Sequence, residues 1–557
     1  MIKAVKSFLV RQSVSATALT AWSALWCLVV LNVPFWTRVL ELRPLGDARD
    51  IAFVASVALL AGLVSNLFLM PLTLIRPLAK PLLAVALVLA ALAAYFVWAY
   101  GTLVDKVMIR NVFETDALEA GELVNWKLLL FVGVLGVLPA LAVLRVPLAR
   151  PPWHRELLHR GVALGVTIVG IGVVAFFFYQ DQASFLRNNR DLRHRLVPVN
   201  YLAGVGSYVQ EITKRKLPYE AIGADATLGP RWQTPTAERP LLLVLVVGET
   251  ARAANFSLGG YGRQTNPRLT EVKDLVYFTD VSSCGTSTAI SVPCMFSDLG
   301  REAFSAEKAR ARDNLIDIVA KAGLGVEWYG NNTNCKGICR AAGEKRAVRE
   351  QHPQYCKDAV PCTDGAMFED FWRTLPSYSG RGLVVLHQLG SHGPGYHLRY
   401  PESFNRFTPV CRSTDFSKCQ VSEIVNAYDN TLLYTDHLLA ETINRLQSIA
   451  DRVDSAILYV SDHGESLGEN GIFLHAVPYA FAPRVQTHVP MVFWSTPGFA
   501  ERMAVDQQCL LEQRNQPLSH DNFLHTVLGL LDVSTSVRKP TLDFVRSCRR
   551  PVATPAG

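Results

Sequence analysis

Five stretches without a charged residue occupy the first 180 positions, at 12–37, 51–75, 81–104, 128–144 and 161–180. Each is close to the ~20 apolar residues that a helix needs to cross the hydrocarbon core of a bilayer. A cleaved signal peptide is the rival reading of the first, but no small-residue cleavage site is clear and four comparable segments follow. The chain is therefore expected to carry a five-helix membrane anchor. Charged residues make up 18% of the sequence, against ~25% in an ordinary soluble protein, and the deficit falls in this first third.

Flanking charges set the orientation. Lys3, Lys6 and Arg11 precede the first span, Arg76 and Lys80 separate the second from the third, and Arg145, Arg150, Arg155 and Arg160 separate the fourth from the fifth. Those flanks are cytoplasmic by the positive-inside rule, so an odd number of spans exports everything after Tyr179. The expected organisation is a membrane domain at 1–180, a bridging helix and linker at 181–240, and an exported domain at 241–557. Arg187, Arg190, Arg193 and Arg195 face either anionic head groups or solvent. A formal net charge of +7 is modest for 557 residues and does not point to nucleic acid.

Ten of the eleven cysteines lie in the part placed outside, and Cys27 alone falls in a span. An even number in an oxidising compartment reads as a disulfide framework. Close spacings propose Cys284–Cys294, Cys335–Cys339, Cys356–Cys362 and Cys411–Cys419, leaving Cys509–Cys548 as a long-range fifth pair. Paired zinc knuckles are the alternative for such cysteines, but no two CxxC motifs occur.

Beyond residue 240 short apolar runs appear at 241–247, 326–329, 383–386, 456–460 and 489–494, with helical stretches such as 309–322 and 421–449 between them. Buried strands alternating with helices predict a mainly parallel α/β sheet, whose sites gather at the C-terminal ends of the strands. Three of those ends carry metal-ligand types: Glu249, the His387 to His392 segment, and Asp462, His463 and Glu465. Carboxylates with imidazoles suit zinc. The turn Ser283-Cys284-Gly285-Thr286-Ser287-Thr288 adds hydroxyls ahead of a helix, where an oxygen and backbone N–H groups converge on an anion. Without a GxSxG elbow, activation of such a hydroxyl falls to a metal, which is phosphoryl- or sulfuryl-transfer chemistry.

Taken together, VVGETARAANFSLGGYGRQTNP from Val246, SCGTSTAISVPCMF from Ser283, NNTNCKGIC from Asn331, HQLGSHGPGYHLRYP from His387 and SDHGESLGENGIFLHA from Ser461 resemble the membrane-bound phosphoethanolamine transferases of Gram-negative bacteria that modify lipid A, members of the alkaline phosphatase and sulfatase superfamily. The resemblance spans nearly the whole chain. It implies a five-helix transmembrane domain and a periplasmic α/β domain of the alkaline phosphatase and sulfatase type, anchored in the bacterial inner membrane with its N-terminus cytoplasmic. It also implies that Glu249, Thr288, Asp462 and His463 hold a catalytic zinc, with Thr288 rather than Thr286 as nucleophile. His392 and His475 match outer histidines that contact the substrate phosphate or, with Glu465, a second zinc. Asn332 and Lys336 match residues near the phosphoethanolamine group, while His387 is expected to be structural. In segment 108–115, Asn111, Glu114 and Thr115 match residues that receive the donor lipid, and an interfacial amphipathic helix explains the same pattern.

The implied reaction passes phosphoethanolamine from phosphatidylethanolamine through a threonine-bound intermediate to a lipid A phosphate, with resistance to polymyxin and other cationic peptides as the phenotype. Alternatives are transfer to Kdo or heptose, or hydrolysis by a phosphodiesterase or sulfatase. The chain is expected to act as a monomer.

Overall fold

The computed structural model describes residues 13–550 apart from 116, 150, 190, 214–216, 234–237, 333, 357–359 and 415. Lys3, Lys6, Arg11, the start of the first expected span, Arg150 and Arg190 lie outside the described residues. The chain divides into two compact units, Met1–Arg110 with Val124–Thr213, and Asn111–Leu123 with Lys214–Gly557.

In the first unit, Ala48–Thr73, Arg76–Tyr100, Trp126–Arg145 and Trp153–Phe178 are long and apolar enough to cross a membrane. The remaining expected span is a pair of helices, Ala16–Leu31 and Val33–Leu42, bent by 64°. The bend sits at Asn32, just ahead of Pro34. The Asn32 amide donates to the carbonyls of Cys27 and Val197 at 2.8 and 2.6 Å and accepts from the Val197 N–H at 2.8 Å. Those bonds satisfy backbone groups that a break in a helix exposes. The second limb continues past the expected end at 37 and carries Arg38 and Glu41.

Alanines dominate the buried face of Arg76–Tyr100. At Gly136 a Cβ would lie 2.9 Å from that of Ala91, so the two helices meet through small residues as membrane helices do. Phe176, Phe177, Leu74 and Val29 are exposed, an apolar surface suited to lipid. Trp153–Asn188 runs on past residue 180, and Val199–Thr213 buries Tyr201, whose hydroxyl donates to the Ala86 carbonyl at 2.8 Å. The first compact unit takes in these helices and ends at Thr213.

The second unit is built on seven strands: β1 (Leu241–Gly248), β2 (Val276–Phe278), β3 (Gly325–Gly330), β4 (Glu344–Lys345), β5 (Arg381–His387), β6 (Asp454–Ser461) and β7 (Met491–Ser495). Their spatial order is β2-β7-β6-β1-β5-β3-β4. Neighbours from β6 to β4 run parallel, and β7 is antiparallel to both β6 and β2. All five expected strands are present. β2 and β4 are additions too short to show a period in the sequence, and the sheet is mixed.

Leu241, Leu243, Leu245 and Val247 of β1 share one core with helices Thr288–Met295, Leu315–Lys321 and Phe523–Leu530. Leu242, Val244 and Val246 are equally buried on the opposite face. Burial on both faces is why these strands read as unbroken apolar runs. The helix expected at 309–322 is broken into Ala306–Arg310 and Leu315–Lys321. Asn314 starts the second piece with a capping box: its side chain accepts from the N–H groups of Ile316 and Asp317 at 2.8 and 3.3 Å. The helix expected at 421–449 is Val421–Ser448. All five expected disulfides are formed, and Cys27 is a free, buried thiol.

Candidate active site

β1 and β6 lie side by side and end level, Gly248 opposite Ser461, so the residues that follow them meet. Glu249 comes from β1, Asp462 and His463 from β6, and all three are buried. One ligand atom of each lies within 4.8 Å of the others, close enough together to hold a metal ion. His463 Nε2 stands 3.3 Å from Glu249 Oε1 and 3.5 Å from Asp462 Oδ2. The other ring nitrogen, Nδ1, is 2.9 Å from the Gly464 carbonyl. Donation there fixes the tautomer, so that once the ring is neutral its Nε2 lone pair faces the cluster.

Thr288 opens helix Thr288–Met295 and delivers its hydroxyl to the same point. Oγ1 lies 2.9 and 3.1 Å from the two Glu249 oxygens and 3.5 Å from His463 Nε2. Thr286 is differently engaged, its hydroxyl donating to the Val477 carbonyl at 2.7 Å. Ser287, at the N-cap, has a buried hydroxyl without a hydrogen-bond partner among the described residues. The first-turn N–H groups of such a helix attract negative charge.

Electrostatics show what the cluster requires. Burial pushes the Asp462 carboxyl up to about 7, and the Glu249 charge adds to the shift. Burial disfavours a charged His463 as well, yet the Asp462 and Glu249 carboxylates outweigh it and hold the imidazole up at about 10. Burial likewise opposes ionisation of Glu249, and the hydrogen bond and charge of His463 more than reverse it. Two buried carboxylates thus share one proton-borne positive charge, and Asp462 Oδ2 has no hydrogen-bond partner among the described residues. A divalent cation supplies what this donor set lacks. One imidazole, two carboxylates and a hydroxyl fit tetrahedral zinc.

His463 and His475 have ring centroids 4.5 Å apart, and His475 and His392 5.2 Å apart. The backbone is left-handed on both sides of His475, with φ 65° at Leu474 and 68° at Ala476. Such strain persists where surrounding bonds over-determine it. Ala476 N–H donates to Thr286 at 2.7 Å, and the Gln486 amide donates to the Leu474 carbonyl at 3.0 Å. Glu465 accepts from Tyr396 at 2.5 Å and pairs with His475 Nδ1 at 2.8 Å, so it orients that ring.

Asn332 donates to Glu249 Oε2 at 2.7 Å and to the Gln388 carbonyl at 3.1 Å, fixing a metal-ligand type from behind. Lys336 stands in the turn closed by Cys335–Cys339, with φ 51°, and its charge reaches His387. His387 is wholly buried, edge-on to Trp328 at 5.6 Å, with its imidazole pushed down to about 4 by burial, in keeping with a structural residue. Asn111, Glu114 and Thr115 fall in the second unit. Thr115 donates back to the Asn111 carbonyl at 2.7 Å, and no hydrogen bond among the described residues links the three to the cluster.

Two buried residues outside the motifs also shape the site. Asp364 accepts from the N–H groups of Leu389 and Gly390 at 2.8 and 2.9 Å, seating the loop after β5. There Gly390 (φ 53°) leaves no room for a Cβ, which would lie 2.6 Å from the Glu249 carbonyl. His520 accepts from Cys284 N–H at 3.1 Å through Nδ1, and its Nε2 is 3.0 Å from the Ser461 carbonyl. It ties the turn ahead of Thr288 to the end of β6.

Comparison with known proteins places this geometry. Residues 242–533 match the sulfatase family and residues 62–213 match the phosphoethanolamine transferase EptA/EptB family. Phosphoethanolamine transferase EptA of Escherichia coli K12 is 38% identical, the alignment covering 98% of this chain and 99% of that one. The chain belongs to the phosphoethanolamine transferase family. Phosphatidylethanolamine transferase Mcr-1 of Escherichia coli is 35% identical over 96% of this chain and 98% of its own. The solved integral membrane lipooligosaccharide phosphoethanolamine transferase A (EptA) of Neisseria meningitidis superposes with a TM-score of 0.91 and 37% identity, covering 97% of this chain and 100% of that one. This transferase therefore combines membrane-spanning N-terminal helices with a sulfatase-like C-terminal domain.

Proposed function

We propose that this enzyme moves phosphoethanolamine from phosphatidylethanolamine to a phosphate of lipid A, with Thr288 as the covalent carrier. The supporting observation is the Thr288 hydroxyl held at 2.9–3.5 Å from Glu249 and His463, inside a buried donor set that fits zinc. The names of EptA and Mcr-1 support the transferred group and the donor. Bound zinc, held by Glu249, Thr288, Asp462 and His463, supplies Lewis acidity that lowers the pKa of the hydroxyl and offsets phosphoryl charge.

The chain's residues do the rest. Thr288 Oγ1 attacks phosphorus as the bond to the diacylglycerol oxygen breaks, and the proton Thr288 gives up reaches that oxygen through His392 or His475. A lipid A phosphate oxygen then attacks in line and frees Thr288, and the proton the phosphate loses returns to Thr288 by the same histidines. Lys336 and Asn332 border the phosphoethanolamine group, and Asn111, Glu114 and Thr115 receive the donor lipid. The enzyme works at the inner membrane with its catalytic unit in the periplasm, where disulfides persist. Capping a phosphate with an ammonium weakens the attraction of the surface for cationic peptides such as polymyxin.

Transfer to a Kdo acceptor is the second reading, favoured by Kdo(2)-lipid A phosphoethanolamine 7''-transferase of Escherichia coli at 27% identity over 60% of this chain. Purified protein in vesicles containing phosphatidylethanolamine and lipid A is expected to release diacylglycerol and modify lipid A. Thr288→Ala abolishes both, and a Thr288→Ala variant with unchanged turnover would reject the nucleophile.

A further inference from the structure

Segment 111–123 belongs to the catalytic unit although the chain on both sides of it belongs to the other. From this segment Glu122 sends a buried carboxylate to Arg399, and the two side chains are 5% and 1% exposed. Arg399 Nε in turn donates to the main-chain carbonyl of His392 at 2.8 Å. The packing is close: a Cβ on Gly395 would lie 2.9 Å from Glu122 Oε2. Tyr396, in the same turn, donates to Glu465 at 2.5 Å, and Glu465 holds His475 at 2.8 Å. One buried ion pair therefore seats the turn that presents His392, while His475 is held separately by Glu465 and Tyr396.

A buried ion pair is a poor source of stability, because desolvating both charges offsets most of their attraction. Its geometry, however, is directional, and Arg399 aims one N–H at the carbonyl of an active-site histidine. We propose that Glu122 is a positioning residue for the transfer reaction, acting through Arg399 on His392. This inference rests on the role given to His392 above.

The test is a double-mutant cycle on the full-length, zinc-loaded enzyme in vesicles, with zinc content and melting midpoint measured alongside. Glu122→Gln keeps the shape and removes the charge. It is expected to lower kcat about tenfold with KM for the donor lipid within about twofold and zinc content unchanged. In a His392→Ala background the same substitution changes kcat by less than about twofold, because the route through His392 is gone. Equal losses in both backgrounds, or no loss in either, would overturn the proposal. If Glu122→Gln fails to fold, the paired Glu122→Leu with Arg399→Met removes both charges while keeping apolar contact. Full kcat in that variant would overturn the proposal equally. A His392→Ala enzyme as active as the wild type would instead refute the role of His392 itself.

Discussion

Acidification should loosen the catalytic unit through His520, by an amount that follows from the surroundings of that residue. Burial pushes its imidazole down to about 3 from an ordinary 6.5. Nδ1 accepts from Cys284 N–H, and the Ser461 carbonyl faces Nε2, so the neutral ring is the form the fold accommodates. The folded pKa lies below the unfolded one. The stability this provides is fully present above about 6.5 and is lost as pH falls from there towards 3. Between pH 8 and pH 5 the loss amounts to about 2 kcal/mol, from a proton that the unfolded chain binds and the folded one does not. His520→Met removes both the titration and the acceptor for Cys284 N–H. It should cost roughly 1–3 kcal/mol at pH 8 for the orphaned N–H and then change about 2 kcal/mol less than wild type on going to pH 5. Amide exchange of β6 in zinc-stripped protein at the two pH values reads both quantities. Parallel pH dependence in variant and wild type would refute the reasoning.

Asn332→Ala removes the donor behind Glu249 and should cut zinc affinity or activity about 10–100-fold; unchanged values of both would show that Glu249 is held otherwise. Metal-free His463 is protonated at pH 8, so zinc binding should release about one proton and tighten about tenfold per pH unit towards pH 9. Calorimetry in buffers of different ionisation enthalpy checks this, and pH-independent binding would contradict it. In Gly382→Ala the new Cβ would sit 2.0 Å from the Gly325 carbonyl. Forcing β5 from β3 should lower stability by about 1–3 kcal/mol, and a urea midpoint equal to wild type would speak against that close contact.

What the sequence reveals and what it hides have physical causes. Four of the five longer strands are buried on both faces and show as apolar runs, Gly325–Gly330 being buried only over its second half, whereas Glu344–Lys345 is a two-residue edge that no period can reveal. Glu249, Asp462 and His463 are legible because a parallel sheet brings strand ends together, and β1 and β6 proved to be neighbours. Asn32 reads as one polar residue in an apolar run, and only the Val197 backbone beside it explains the bend. Asp364 stands just ahead of one helix and His520 in the turn before another, and neither belongs to a motif. Their real partners, Leu389, Gly390 and Cys284, are distant in the chain, and no local pattern records such contacts. Glu122 is hidden in the same way, as one acidic residue in an acidic loop.

The central claim is that Thr288 carries the phosphoethanolamine group. Peptide-mass analysis of zinc-loaded, detergent-purified protein after incubation with phosphatidylethanolamine and no acceptor tests it most directly. A phosphoethanolamine adduct on the peptide containing Thr288, with diacylglycerol released in step and both absent in Thr288→Ala, is the predicted result. An adduct on another residue, or transfer to lipid A by Thr288→Ala at the wild-type rate, would contradict it.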